Sequence, residues 1–225
     1  MIFLKSLPAT ALALAMSASI AAPVNIPPPS APSNFPLPAP WNLLPSGEPA
    51  KTSKTPTKKQ QPPQNLKKLK KLAEDGDANS QYKLGQAYLE GDGAQQNFGE
   101  AITLFRKSAE QKNADAHFSI GLMYDEGNGV PQDYVTAAEW YTKAAELGHA
   151  TAQYSLGLMH TTGQGLPNDL IYAHMWFNMA SANGHAEAIK GRKWCEARMT
   201  QWQLGEAQAL AREFLAKNPL AVHIK

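Results

Sequence analysis

A pattern of 36 residues recurs three times between residues 78 and 185 and constrains the fold more than any other feature. Glycines return at this period in three columns, and alanine and aromatic positions return in phase with them. The columns include Gly85, Gly121 and Gly157; Gly91, Gly127 and Gly163; Gly93, Gly129 and Gly165; Ala101, Ala137 and Ala173; and Phe105, Tyr141 and Phe177. A fixed period of roughly 20–50 residues is typical of repeat proteins, whose units bury their apolar faces by stacking. The sequence therefore predicts three stacked units.

Each unit is predicted to begin with a helix. The first such helix extends from about Ala78 to Glu90, where apolar residues recur at helical spacing. It ends at Gly91, because glycine has the freedom at positive φ that a C-terminal cap needs. Gly85 lies inside this helix, although glycine there costs about 1 kcal/mol relative to alanine. Its recurrence in all three units predicts that another helix approaches too closely for a side chain.

A second helix is predicted to follow a short Gly-x-Gly loop in each unit. Asp133 and Asp169 stand where this helix needs an N-cap, each two residues after a proline that a helix interior excludes. The first unit lacks the proline and has Asn97 at the cap position. Its second helix is therefore expected to be the least well capped of the three.

The stretch GLMYDEGNGVPQDYVTAAEWYTKAAELGHATAQYSLGLM, which begins at Gly121, resembles the consensus of the Sel1-like repeat, a relative of the tetratricopeptide repeat. The resemblance covers about residues 66–215, with repeats at 78–113, 114–149 and 150–185. It implies an all-α fold, a right-handed α-solenoid of antiparallel helix pairs. It also implies a role as an adaptor or regulator that acts through protein–protein contact.

Helical caps are expected at both ends, because the terminal units of a solenoid would otherwise expose their apolar faces. Residues 65–77 are predicted to form an N-terminal capping helix with Leu69 and Leu72 turned inward. Residues 186–217 are predicted to form a half-repeat and a last helix, which a capping box of Thr200 and Gln203 opens. Residues 218–225 are left as a tail.

The first 21 residues have the pattern of a signal peptide. Lys5 precedes a short apolar run, and small residues lead to a predicted cleavage site after Ala21. We therefore expect a periplasmic or secreted protein. Residues 22–64 are rich in Pro, Ser and Lys, and they are expected to be a disordered linker because they contain too few large apolar residues to offset the entropy of ordering.

Charge is divided unevenly along the chain. Between residues 22 and 72 there are eight lysines and one glutamate, whereas from residue 73 onward there are twelve basic and eighteen acidic residues. An acidic body repels phosphate, so nucleic acid is not an expected partner. We favour a linker that lysines keep soluble; the alternative is weak contact of these lysines with an anionic membrane or polymer.

No catalytic residue, cofactor or metal site is predicted, and an enzyme is not expected. The Gly-x-Gly loops lack the third glycine and the preceding strand of a dinucleotide fingerprint. His149 and His185 occupy equivalent positions, about 10 Å apart if each repeat adds one helix spacing, which is too far for one ion. The single cysteine, Cys195, cannot form an internal disulfide and is expected to be a small buried residue.

One side of the three first helices carries the residues that best suit partner binding. Stacked units would align Tyr82, Phe118 and Tyr154 along the concave face, and aromatic anchors in a groove suit recognition of a peptide or helix. The alternative is that these rings are simply buried between adjacent helices. The predicted partner-binding residues are Asn79, Tyr82, Gln86, Asp115, Phe118, Leu122, Thr151, Tyr154 and Leu158.

The predicted function is therefore an exported, monomeric adaptor or regulator that binds a protein or peptide partner. One alternative is an enzyme of cell-wall or β-lactam chemistry, although the paired cysteines of relatives linked to β-lactams are absent here. A second alternative is a structural envelope protein that its basic linker tethers.

Overall fold

The structure, a computed structural model, describes residues 64–222. The predicted signal peptide, the predicted linker up to residue 63 and residues 223–225 lie outside the described residues. The described part of the chain forms nine α-helices and a short 3-10 helix, without strands. The helices are α1 (Gln64–Glu74), α2 (Ala78–Glu90), α3 (Phe98–Glu110), α4 (Ala114–Glu126), α5 (Tyr134–Glu146), α6 (Ala150–Thr162), α7 (Leu170–Ala182), α8 (Ala186–Glu196) and α9 (Gln201–Lys217), and the 3-10 helix is Pro219–Ala221.

The six helices α2 to α7 each have 13 residues and form three pairs joined by short loops. The two helices of a pair pack side by side, and consecutive pairs meet where α3 contacts α4 and where α5 contacts α6. This arrangement confirms the predicted all-α solenoid. Each unit contributes one apolar seam within its pair and one to the next pair, so the core continues through the stack.

The predicted helix ends are confirmed. Gly91 follows α2 with a φ of 76° and its N–H donates to the carbonyl of the residue four earlier, and its two equivalents end α4 and α6 in the same way. Asp133 accepts hydrogen bonds from the N–H groups of Val135 (3.0 Å) and Thr136 (3.1 Å) at the start of α5. Asn97 accepts one such bond, at 3.1 Å, so α3 is capped less fully.

An aromatic ring of the second helix fills the space that each glycine leaves in the first. A Cβ at Gly121 would lie 2.6 Å from Cδ1 of Tyr141 and 3.3 Å from the carbonyl oxygen of Ala137. The same relation joins Gly85 to Phe105 and Gly157 to Phe177. All three rings are almost completely buried. The predicted close approach is therefore confirmed, and the group that approaches is the ring together with the backbone of its helix.

Glycines of the Gly-x-Gly loops serve packing between repeats. Gly129 lies so close to Phe98, the first residue of α3, that it leaves no room for a Cβ. Gly165 lies equally close to the backbone of Tyr134, the first residue of α5. Each loop therefore sits directly on the start of the second helix in the preceding repeat.

The N-terminal helix α1 covers the first repeat with residues that differ in part from those predicted. Leu66 and Ala73 are buried against Leu84 of α2, and Leu69 packs partly against the same cluster. Leu72 was expected to point inward, but 38% of it is exposed, so that prediction is wrong. The inward positions recur at helical spacing, and Leu72 lies one residue, about 100°, away from that stripe.

Helices α8 and α9 close the other end of the stack. The predicted capping box is confirmed, since Gln203 N–H donates to Oγ1 of Thr200 at 3.3 Å and Thr200 N–H donates to Oε1 of Gln203 at 2.8 Å. Helix α9 then packs against α7, with the ring of Phe214 edge-on to Trp176 at 4.9 Å between centroids.

The residues after α9 turn back onto the third repeat. The carbonyl oxygen of Ala221 accepts hydrogen bonds from Nε2 of Gln153 at 2.6 Å and from Nδ2 of Asn183 at 2.7 Å. Gln153 is fully buried, so these bonds satisfy a donor that would otherwise be costly to desolvate. The tail is thus part of the packed structure as far as Val222.

Gly121→Ala is expected to destabilise the protein by about 1–3 kcal/mol, because overpacking forces the ring of Tyr141 to move. Gly205→Ala is the matched control, since Gly205 lies inside α9 with open space where a Cβ would be. There the substitution should stabilise by about 1 kcal/mol, the difference in helix propensity. Urea unfolding followed by circular dichroism measures both. Similar effects at the two positions would contradict the packing role of Gly121.

Candidate functional site

The nine predicted partner-binding residues line one side of α2, α4 and α6, and their burial increases along the stack. In α2 and α4 they are exposed or half-buried. In α6, Thr151 is exposed, but Tyr154 and Leu158 are only 6% and 4% exposed. The accessible residues of the predicted site are therefore Asn79, Tyr82, Gln86, Asp115, Phe118, Leu122 and Thr151. The accessible aromatic rings among them are those of Tyr82 and Phe118.

Tyr82, Phe118 and Tyr154, here called the aromatic ladder, each rest on a ring of the second helix in their own repeat. The ring centroids are 5.7 Å apart for Tyr82 and Phe105, 5.5 Å for Phe118 and Tyr141, and 5.6 Å for Tyr154 and Phe177. The supporting rings are those packed against the helical glycines. The core of each repeat therefore fixes the position of its ladder ring.

Histidines cover two of the ladder rings. His149 stacks on Phe118 with centroids 4.4 Å apart, and His185 stacks on Tyr154 at 4.2 Å. The equivalent position before α4 is Asn113, so the first repeat has an amide where the others have an imidazole. In repeats 2 and 3 the ladder ring therefore contacts the N-cap residue of the first helix in the next unit.

His149 is also the N-cap of α6. Its Nδ1 accepts a hydrogen bond from the N–H of Ala152 at 3.0 Å, which assigns the proton of the neutral ring to Nε2. Nε2 lies 3.4 Å from Oδ1 of Asp115. Burial lowers the pKa of His149, and the opposing effect of Asp115 is smaller. Asp115 therefore faces an uncharged imidazole at neutral pH.

Tyr82 bridges the first helices of repeats 1 and 2. Burial raises its pKa, a hydrogen bond with Ser119 of α4 opposes this rise, and the carboxylates of Asp115 and Glu90 add to it. The phenol thus stays protonated and can donate or accept a hydrogen bond at the surface. Its surroundings combine an aromatic ring, a hydroxyl group and two carboxylates.

Asp125 is a buried carboxyl next to the ladder that the sequence analysis missed. It is 6% exposed, Oδ2 accepts a hydrogen bond from the hydroxyl of Tyr141 at 2.9 Å, and Oδ1 has no hydrogen-bond partner. Burial raises the pKa of Asp125 to about 6. The sequence did contain an indication of this residue, because Asp125 is charged whereas the equivalent residues of the other repeats, Leu89 and Thr161, are not.

Metal binding and thiol chemistry find no support in the described residues. Between residues 64 and 222 no group of three or more His, Cys, Asp or Glu side chains is placed to hold a metal ion. Cys195 is buried, as expected, and burial raises its pKa to about 12. His160 and His174 are buried as well, with His160 Nδ1 2.9 Å from the carbonyl oxygen of Pro167.

None of the helices in the described part of the chain has the length and apolar character that crossing a membrane requires.

Three consecutive stretches of the chain, residues 78–113, 114–149 and 150–185, match the Sel1 repeat. A solved structure of a Sel1 repeat protein from Oxalobacter formigenes is 38% identical, with a TM-score of 0.54, and the match covers 57% of this chain and 97% of that one. The chain belongs to the Sel1 repeat family. Sel1 repeats are commonly protein-interaction scaffolds.

A second similar structure is a protective antigen present in uropathogenic Escherichia coli strains, which displays an SLR fold. It is 30% identical, with a TM-score of 0.47, and the match covers 69% of this chain and 42% of that protein. The Sel1 repeat protein described here thus spans less than half of that antigen's length. A search of curated protein sequences gives no significant match.

The lowered pKa of His149 predicts that the folded protein loses stability in mild acid. Because burial lowers the folded-state pKa, the unfolded chain takes up this proton at a higher pH than the folded protein. The contribution of neutral His149 to the free energy of unfolding is complete above the histidine pKa of the unfolded chain, about 6.5. This contribution falls as the pH decreases through that value. Protonation of Nδ1 also removes the acceptor that caps α6.

His149→Asn tests this, because Asn113 caps the equivalent helix by accepting from the N–H groups of Asp115 (3.0 Å) and Ala116 (3.2 Å). Between about pH 7.5 and pH 5.5, on either side of the ordinary histidine pKa, the melting temperature of the variant should fall less than that of the unaltered protein. Asp125, whose raised pKa acts in the opposite direction, is present in both. Equal falls in thermal melts would rule out His149 as the source.

Proposed function

We propose that this Sel1 repeat protein is an exported adaptor that binds a partner polypeptide on the accessible part of the aromatic ladder. The observation that carries the proposal is the half-burial of Tyr82 and Phe118. Core rings hold both side chains from beneath, while part of each ring stays open to solvent. Aromatic anchors that are already ordered lose little entropy when a partner binds.

The residues around these two rings support the same proposal. Gln86 and Leu122 follow Tyr82 and Phe118 by one helical turn, and both are half-buried. An amide beside an aromatic ring can pair with the backbone of an extended segment, and an aliphatic side chain can receive an apolar residue. Family membership agrees, since Sel1 repeats commonly mediate protein–protein contact.

Export is the second part of the proposal and rests on the sequence of residues 1–21. If the segment is removed after Ala21, protein recovered from the cell envelope or the medium should begin at Ala22. Intact-mass measurement of the protein expressed in a bacterium checks this. Recovery only from the cytoplasm, with Met1 or Ile2 still at the N-terminus, would contradict it.

Replacing Tyr82 and Phe118 together by alanine should weaken partner binding by about tenfold or more, because interface aromatics often contribute about 2 kcal/mol or more. The unaltered protein is first used to capture and identify a partner from cell-envelope extract. The affinity of that purified partner is then measured for both proteins. Helical circular dichroism and the melting temperature show whether the variant is folded.

Tyr88→Ala with Tyr124→Ala is the matched control. These residues lie six positions further along the same two helices, so they point to a different side, and both are partly buried aromatics. The control should lose a similar amount of stability while retaining the partner. Unchanged affinity in the ladder variant, or equal losses in both variants, would remove the ladder from the binding site.

A further inference from the structure

Apart from His185, which acts on His149, the charged groups that act on the titratable groups of the ladder and its neighbours are carboxylates. The pairs are Asp115 and Glu90 with Tyr82, Asp115 with His149, Glu187 with Tyr154 and His185, and Glu126 with Asp125 and Tyr141. Lysine and arginine side chains of the described residues act on groups elsewhere, such as Lys143 on His117 and Arg192 on His174. The charged side chains next to the ladder are therefore mainly acidic.

This negative charge is concentrated on α2 and α4. At the far end of the ladder, Glu187 forms an ion pair with Lys190 at 2.9 Å. Asp115 instead faces the neutral ring of His149, with 59% of its side chain exposed. Glu126, at the other end of α4, is exposed and accepts a hydrogen bond from an uncharged amide at 2.6 Å. Neither carboxylate is neutralised by the contacts that it makes.

Two further features add to this charge. Glu90 is exposed at the end of α2 and acts on Tyr82 together with Asp115. Asp125 is buried beside Tyr141 and leaves one carboxylate oxygen without a partner, so its charge is poorly compensated when it ionises. The basic residue of α2, Lys83, acts on Asp77 at the opposite end of that helix.

The ladder rings differ from other aromatic rings of the protein in their partners. A cation lies over three other rings: Lys70 is 5.7 Å from the centroid of Tyr88, Lys143 is 4.1 Å from that of Trp140 and Arg198 is 4.1 Å from that of Trp194. Tyr82 is tilted against the ring of Phe105, and Phe118 stacks against Tyr141 and His149, so both contact uncharged rings. A half-buried ring beside carboxylates suits a lysine or arginine side chain, whose apolar stem can lie against the ring while its charged head meets a carboxylate.

We infer that the acidic half of the ladder, formed by Tyr82, Glu90, Asp115, Phe118 and Glu126, binds an extended polypeptide segment of a partner that carries lysine or arginine. The inference rests on the proposed function and adds the chemistry of the partner. Aromatic faces anchor the segment, the carboxylates hold its cations, and the pairing of charges steers the encounter.

The spacing of the carboxylates limits the segment. Asp115 and Glu126 are separated by eleven residues of α4, which correspond to about 16 Å along the helix. An extended chain covers that distance in about five residues. A segment parallel to α4 would therefore present cationic side chains about five residues apart, with an apolar or aromatic residue between them.

The experiment selects ligands for the full mature chain, residues 22–225, from a displayed library of random nonapeptides. Selected peptides are synthesised, and their affinities are measured at about 0.05 M and 0.5 M salt, where screening differs strongly. The selection is repeated on a chain in which Lys51, Lys54, Lys58 and Lys59 are changed to glutamine. This second background prevents the chain's own lysines from competing for the same surface.

The expected result is enrichment of peptides with two or more lysines or arginines. Asp115→Asn with Glu126→Gln should weaken the selected peptides about tenfold at low salt, since surface ion pairs contribute modestly, and the effect should shrink at high salt. Glu110→Gln with Glu139→Gln removes the same charge at exposed positions of α3 and α5. That control should bind as the unaltered chain does.

Two outcomes separate this inference from the proposed function. Neutral or acidic peptides that bind with the same affinity after Asp115→Asn and Glu126→Gln, but lose binding after Tyr82→Ala and Phe118→Ala, would overturn the inference and leave the adaptor proposal standing. Selected peptides that are indifferent to Tyr82 and Phe118 would overturn both. Equal loss in the Glu110 and Glu139 control would show that net charge alone attracts the peptides, which also overturns the inference.

Discussion

The contact between a glycine of the first helix and an aromatic ring of the second is the interaction on which the rest of the structure depends. At Gly121 the ring of Tyr141 occupies the volume of the missing side chain, and the carbonyl of Ala137 lies just beyond. The helices of a pair can therefore approach closely without a cavity, and close packing without voids is what stabilises a core. The same ring also stacks against Phe118, so the spacing of the helices positions the candidate binding surface as well.

Much of the fold follows from the sequence because it depends on local rules that repeat. The helix ends at Gly91 and its equivalents, the caps at Asp133 and Asp169, and the capping box at Thr200 all require only a few adjacent residues. The glycines inside the first helices could be interpreted as well. Glycine destabilises a helix, so its presence in all three copies indicates a packing requirement from another helix. The inward side of α1 was harder, since a short helix with leucines on several sides offers more than one apolar stripe.

The candidate site could be predicted only in part, because burial depends on elements that break the repeat. Tyr154 and Leu158 are equivalent to Tyr82 and Gln86 of the first repeat, yet Tyr154 and Leu158 are buried. Helix α8 has 11 residues rather than 13, and its Gly191 packs against Phe177, the ring that Gly157 also contacts. The 36-residue pattern alone does not show how closely α8 packs against the third repeat. Asp125 was missed for a related reason, since only the structure shows how little water reaches it.

The position of Ala221 and Val222 affects where a label or a tag can be attached to the chain. Because Gln153 and Asn183 donate hydrogen bonds to the carbonyl oxygen of Ala221, the backbone at this residue lies against the third repeat. A fluorescent label or a surface-immobilisation tag attached at Val222 would therefore lie near α5 and α6, which the last described residues contact. Its linker would have to be long enough to leave the hydrogen bonds from Gln153 and Asn183 intact.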